Sequence, residues 1–173
     1  MFTKTDIERY FLAEKQAGLL FLLIGLATVL MGLLLLFVLK STFARGAALP
    51  LLILGLLEGW TGYAIYKRSD AVRIRNVYAF DMNPQQLRQE ELPRMEKLNR
   101  HFKWYRWAEV LLLVTGAGLV IWFRAEPLNN FWLGFGLTLL LQAGILFTVD
   151  WLAEKRARDY CRRLTAFLSV SPR

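Results

Sequence analysis

The sequence predicts an all-α polytopic membrane protein. It reads as a single domain, residues 1–173, with four transmembrane helices in a bundle and long cytoplasmic helical extensions. Three observations carry this. Four apolar runs, 17–39, 47–66, 107–123 and 131–149, hold 23, 20, 17 and 19 residues. A ~30 Å hydrocarbon core takes about 20 residues at ~1.5 Å each. A polar segment, 67–106, separates the runs two and two and carries ten Lys/Arg against five Asp/Glu. Finally, Lys and Arg are one-sided: 3, 10 and 6 lie in 1–16, 67–106 and 150–173, against only Lys40, Arg45 and Arg124 elsewhere. The positive-inside bias then puts both termini and the central segment in the cytoplasm, with Gln85 and Ser169 inside and Thr42 and Asn129 outside.

Composition fits this class. Hydrophobic residues make up 55% of the chain and charged residues 21%, and the two are segregated along the sequence rather than interleaved. The net charge of +8 sits beside the apolar runs. There it serves topology and contact with anionic lipid headgroups, not nucleic acid. Cys161 is the single cysteine, which rules out an intrachain disulfide and the paired cysteines of a quinone-linked thiol oxidoreductase.

Taken in order, Thr5-Asp6-Ile7-Glu8 matches a capping box, so a helix beginning there is expected to run unbroken into the first span. That span is too long, and its leader too balanced in charge, for a cleaved signal peptide. Asn83-Pro84-Gln85-Gln86 marks another helix start. Pro93 is expected to interrupt that short helix and begin one of 31 residues ending at Phe123. The third run reaches crossing length only if its helix starts before Trp107. On the extension, Met95, Leu98, Phe102 and Tyr105 form a seam, with Glu109 next in register. Ile74, Val77 and Tyr78 are the expected partners from the second helix. The tail repeats the spacing at Trp151, Ala157, Tyr160 or Cys161, Leu164, Phe167 and Leu168. Most tryptophans lie near run ends, as interfacial belts require, while Trp60 is deeper and reads as a packing residue.

Gly18, Gly25 and Gly32 recur every seven residues and form a groove for another backbone, within one protomer or between two; Gly55 and Gly59 add a small-xxx-small pair. Glu58 falls near mid-membrane. A carboxylate there costs roughly 2.5–3.5 kcal/mol to insert and calls for a partner. Gln142, Thr138 and Thr28 are the candidates. The group is either interhelical glue or an ion or proton site. Glu109 and Asp150 read as interfacial anchors compensated by Arg106 and Lys155. His101 is the only histidine, too few ligands for zinc. Its spacing from Arg94 fits an RNase-like Arg-x(4–6)-His pattern, but the pattern is short and bases are frequent in this segment, so chance explains it better. No catalytic grouping, metal site or cofactor is expected.

In length, span number and placement of termini the chain resembles colicin-type immunity proteins, a likeness of topology carried by no motif. It implies a non-catalytic interaction protein of a bacterial-type inner membrane that neutralises a membrane-targeting toxin. An oligomeric ion channel or small transporter using Glu58 and Gln142, and a scaffold recruiting a soluble partner through its cytoplasmic helices, are the alternatives. The expected partners are anionic lipids and a protein, met within the membrane or at its cytoplasmic face, with a homo-oligomer as a further option.

Overall fold

The computed structural model describes residues 2–125 and 130–170, which leaves the expectation for Asn129 outside the described residues. Those residues are helical nearly throughout, with no strand among them. Helix α1 spans Lys4–Leu34 and runs on through a π-helical turn, Leu35–Leu39. Helix α2 spans Thr42–Met82, α3 is the single turn Pro84–Gln86, α4 spans Leu92–Phe123, and α5 spans Asn130–Val170. Four helices are long and apolar enough to cross a membrane. At 41 residues each, α2 and α5 are ~60 Å long, about twice a hydrocarbon core. The molecule therefore has an apolar half and a polar headpiece built from the same helices.

Local chemistry sets the ends. The start of α1 is fixed by Thr3 and Asp6, not by Thr5 and Glu8: the Thr3 amide and hydroxyl both donate to Asp6 Oδ2, at 2.9 and 3.0 Å. Lys40 takes a left-handed conformation, φ 49°, and Ser41 caps α2 by accepting from the Ala44 amide at 3.0 Å. Asn83 stands at the N-cap position and Pro84 opens α3, as expected, but the Asn83 side chain makes no capping hydrogen bond. Pro93 does not interrupt the chain. A π-helical turn, Leu87–Glu91, precedes α4, and Leu92 N–H reaches back to the Leu87 carbonyl. This wider turn accommodates a ring that removes one backbone donor.

Three of the long helices, α1, α2 and α4, each carry a seam with a period of seven. On α1 it runs Phe11, Gly18, Gly25, Gly32, flanked by Ile7, Phe21 and Thr28; on α2 it runs Ala48, Gly55, Gly62, Ser69, Asn76; on α4, Met95, Phe102, Glu109, Gly116; all are buried. A seven-residue period keeps one face turned inward along the whole length, the geometry of a left-handed bundle. Helix α1 packs on α2, α2 on α5, and α5 on α4, so α2 and α5 are central and α4 lies at an edge.

The main core lies in the headpiece, where Phe2, Ile7, Phe11, Ala79, Leu87, Met95, Phe102, Ala157, Tyr160, Leu164 and Leu168 cluster. Leu98 packs against it, but Tyr105 is 49% exposed, so the seam passes from Phe102 to Glu109 without it. Helix α2 contributes Asn76 and Ala79 instead of Ile74 and Tyr78, which face outward; Val77 packs against the cluster. Trp151 likewise faces outward. Trp60 is 74% exposed and is not a packing residue. It stands two positions past Glu58, about 200° round the helix, on the face opposite the seam.

Candidate functional site

The glycines of α1 explain how a polar group can be enclosed in the apolar half. A methyl group placed on Gly25 would come within 2.6 Å of the Gly55 carbonyl oxygen, and one on Gly62 within 2.6 Å of the Gly18 oxygen. Gly18 faces Ile65 and Tyr66, and Gly32 faces Leu52. The heptad groove is thus filled by α2 of the same chain. Gly59 offers its backbone to Gly25, while a side chain on Gly59 itself would meet open space. Such contact brings helix axes closer than ordinary side chains allow. Gly46, against the Phe131 carbonyl, and Gly134, against that of Phe43, join α2 and α5 similarly.

Between these helices Glu58 is 1% exposed and Gln142 3%. Gln142 Nε2 lies 2.6 Å from each Glu58 carboxyl oxygen and 3.5 Å from Thr28 Oγ1. One group thus joins α1, α2 and α5 through a single amide, and it satisfies polar atoms that lipid could not. Thr138 stands apart: its hydroxyl donates within α5 to the Gly134 carbonyl at 2.9 Å and lies 3.1 Å from the Ala47 carbonyl of α2.

At the boundary between the two halves, Glu109 and Asp150 line one small cavity together with Arg106 and Glu154. Arg106 pairs with Glu154, which Arg158 also approaches at 3.5 Å. Lys155 lies over the Trp151 ring, 6.0 Å from its centroid, and is not the counter-ion of Asp150. Arg106 thus stands beside Glu109 as expected, Lys155 does not serve Asp150, and both acids are parts of one α4–α5 contact.

The headpiece holds a polar centre that residue types alone did not mark. Glu91 is fully buried and takes two hydrogen bonds from Arg94, both 2.8 Å, the bidentate geometry that makes such pairs strong. Burial opposes the Arg94 charge, yet Glu91, with Glu14 and Tyr10 adding to it, raises the Arg94 pKa. The Arg94 guanidinium lies over Phe11, 5.5 Å from the ring centre. Burial also pushes Glu14 up, with Arg94 and Arg68 pulling the other way. Tyr10 and Tyr160 stack nearby at 4.3 Å and 14°. The Tyr160 hydroxyl has no hydrogen-bond partner among the described residues, although Glu91 is its neighbour.

Among the described residues no cluster of His, Cys, Asp and Glu has the arrangement of a metal site. The polar groups found here join helices to one another. Comparison with known families, curated proteins and solved structures returns no match.

Proposed function

We propose that the chain crosses a bacterial-type inner membrane four times, with both termini cytoplasmic, and acts as a non-catalytic interaction protein. Its specific form on this reading is an immunity-type protein that holds an inserted helix of a membrane-targeting toxin. The supporting observation is the outer face of α4. Leu111, Val114, Ile121 and Trp122 are each 64–74% exposed, and Gly118 sits in the middle of that ridge with nothing within 4 Å of where its Cβ would be. A glycine facing lipid gains no contact and costs ~1 kcal/mol of helix propensity relative to alanine. Facing a partner helix, it provides close approach. Because α4 packs on α5 at the edge of the bundle, this notch is reachable from the side.

The alternatives draw less support. A conducting path needs polar groups open to water, and Glu58 is enclosed with its oxygens engaged by Gln142. The seam expected to serve a recruiting scaffold is not free, since Met95, Leu98 and Phe102 pack inside the headpiece.

The test places a photo-crosslinking residue at Val114, and another at Leu26 on α1 as the exposed comparison, in native host membranes. A discrete protein adduct at 114 that Gly118→Leu removes is the expected result. It is accompanied by protection of susceptible cells from the adducted toxin. Lipid adducts alone at both positions overturn the proposal.

A further inference from the structure

On the headpiece, α1 and α5 leave an open groove of about 310 Å³ between them. Its floor is the stacked Tyr10–Tyr160 pair, and its walls carry Arg9, Arg156 and Arg163 with Asp6. Asp159, also on the rim, is approached by Arg162 at 3.5 Å. The two ends of the groove differ. Helix α1 runs towards the apolar half from Asp6 to Ala13, and α5 runs away from it from Arg156 to Arg163. At the far end Arg163 pairs with Asp6 at 3.0 Å and closes the groove. At the near end Arg156 reaches only the Ala13 carbonyl, at 3.4 Å, and has no carboxylate partner among the described residues. Between them Arg9 is exposed and makes neither an ion pair nor a hydrogen bond among the described residues. Arg156 at the near end and Arg9 midway along the groove are therefore the two guanidinium groups with no carboxylate partner among the described residues.

Distance along the helices sets what can reach them. Arg9 lies eight residues before the first apolar run, and Arg156 seven after the fourth, about 12 and 10 Å beyond the hydrocarbon edge at ~1.5 Å per residue. Headgroups occupy roughly 5–8 Å beyond that edge, within the reach of an arginine side chain.

We infer that this groove binds the phosphate headgroup of an anionic phospholipid, held between Arg9 and Arg156 and resting on the Tyr10–Tyr160 floor. Planar guanidinium forks match phosphate oxygens in pairs, and basic pockets at membrane surfaces select such lipids. The Asp6–Arg163 pair closes the far end to a second anion. The inference rests on the four-span reading, which resistance of the reconstituted chain to alkaline carbonate extraction checks independently.

The test uses the full chain in uncharged detergent, titrated with dioleoylphosphatidylglycerol and followed by native mass spectrometry and thermal shift. The expected result is a first, saturable lipid site that Arg9→Gln with Arg156→Gln weakens at least tenfold. The charge-matched pair Arg100→Gln with Arg158→Gln leaves it unchanged. Arg9→Gln alone, expected to weaken the site at least threefold, carries the test if the double variant does not fold. Equal binding by the groove variants overturns the inference. So does equal loss in the matched pair, equal uptake of dioleoylphosphatidylcholine, or displacement by millimolar inorganic phosphate, which would make the ligand a soluble anion.

Discussion

Gly25 and Gly59 face each other so closely across α1 and α2 that the Gly59 amide stands where a Gly25 side chain would begin. Backbone cannot rotate away as a side chain can. Gly25→Ala is therefore expected to destabilise the protein, by ~1–3 kcal/mol as overpacking does, although alanine is the better helix former. Gly144→Ala, where nothing lies within 4 Å of the new methyl, has only the propensity term and gains up to ~1 kcal/mol. Unfolding in detergent checks both signs. A gain at both positions would mean that α1 and α2 lie farther apart in the membrane than this contact requires.

The two stacked tyrosines give the headpiece an alkaline limit. Burial is the main cause that raises the Tyr10 and Tyr160 pKa values, with negative charge from Glu14 and Glu91 adding to it. The folded state thus holds these phenols neutral where the unfolded chain would ionise them, near pH ~10. The native state then binds more protons than the unfolded one, so their contribution is complete below pH ~10 and is lost as pH rises above it. Of the six tyrosines, these two should show tyrosinate absorbance only together with unfolding, and Tyr10→Phe with Tyr160→Phe should move the alkaline midpoint upward. At neutral pH, Tyr160→Phe should cost little, because the ring stack remains and the lost hydroxyl had no partner. Titration of all six near pH 10 in the folded protein would refute this.

How much of this was legible follows from what each half uses to mark its inside. In the headpiece the inside is apolar and the outside charged, so Met95, Leu98 and Phe102 could be read from spacing alone. In the apolar half both faces are apolar, and hydrophobic periodicity carries no signal. There small and polar residues mark the seam. Gly18, Gly25 and Gly32 were readable for that reason, and Glu58 with Gln142 by the cost of a lone carboxyl in lipid. Extending the same period of seven along α2, through Ala48, Gly55, Gly62, Ser69 and Asn76, would have given its inward face and shown that Ile74, Tyr78 and Trp60 point out. The Glu91–Arg94 pair and the α1–α5 groove depend on which helices lie side by side, which no local pattern encodes.

Orientation is the next prediction. On a Cys161→Ser background, single cysteines replace Gln85, Ser169 and Thr42, each exposed in the structure. With 19 of 22 Lys/Arg on one side, the positive-inside bias expects an impermeant maleimide to label position 42 in intact cells, and 85 and 169 only after permeabilisation. Labelling of 85 from outside would reverse the orientation. The heptad packing would stand, because nothing in it depends on which side the headpiece occupies.

The last prediction separates a clasp from a proton site at Glu58. The amide of Gln142 reaches both carboxyl oxygens at 2.6 Å, and Thr28 lies 3.5 Å from the same nitrogen. If the group only joins helices, Glu58→Gln should keep the fold and whatever partner binding the protein has. The introduced amide and that of Gln142 can exchange donor and acceptor as a pair. Glu58→Leu should lose on the order of 1 kcal/mol, the range measured for hydrogen bonds between membrane helices. A double-mutant cycle with Gln142→Leu should return a coupling of that size, because each single change removes the same contact. The second change should then cost little, since Gln142 without Glu58 retains only the weaker approach to Thr28. A Glu58→Gln protein that folds normally but loses all activity would contradict the clasp. Amide and acid fill the same space there, and the remaining difference is a titratable proton.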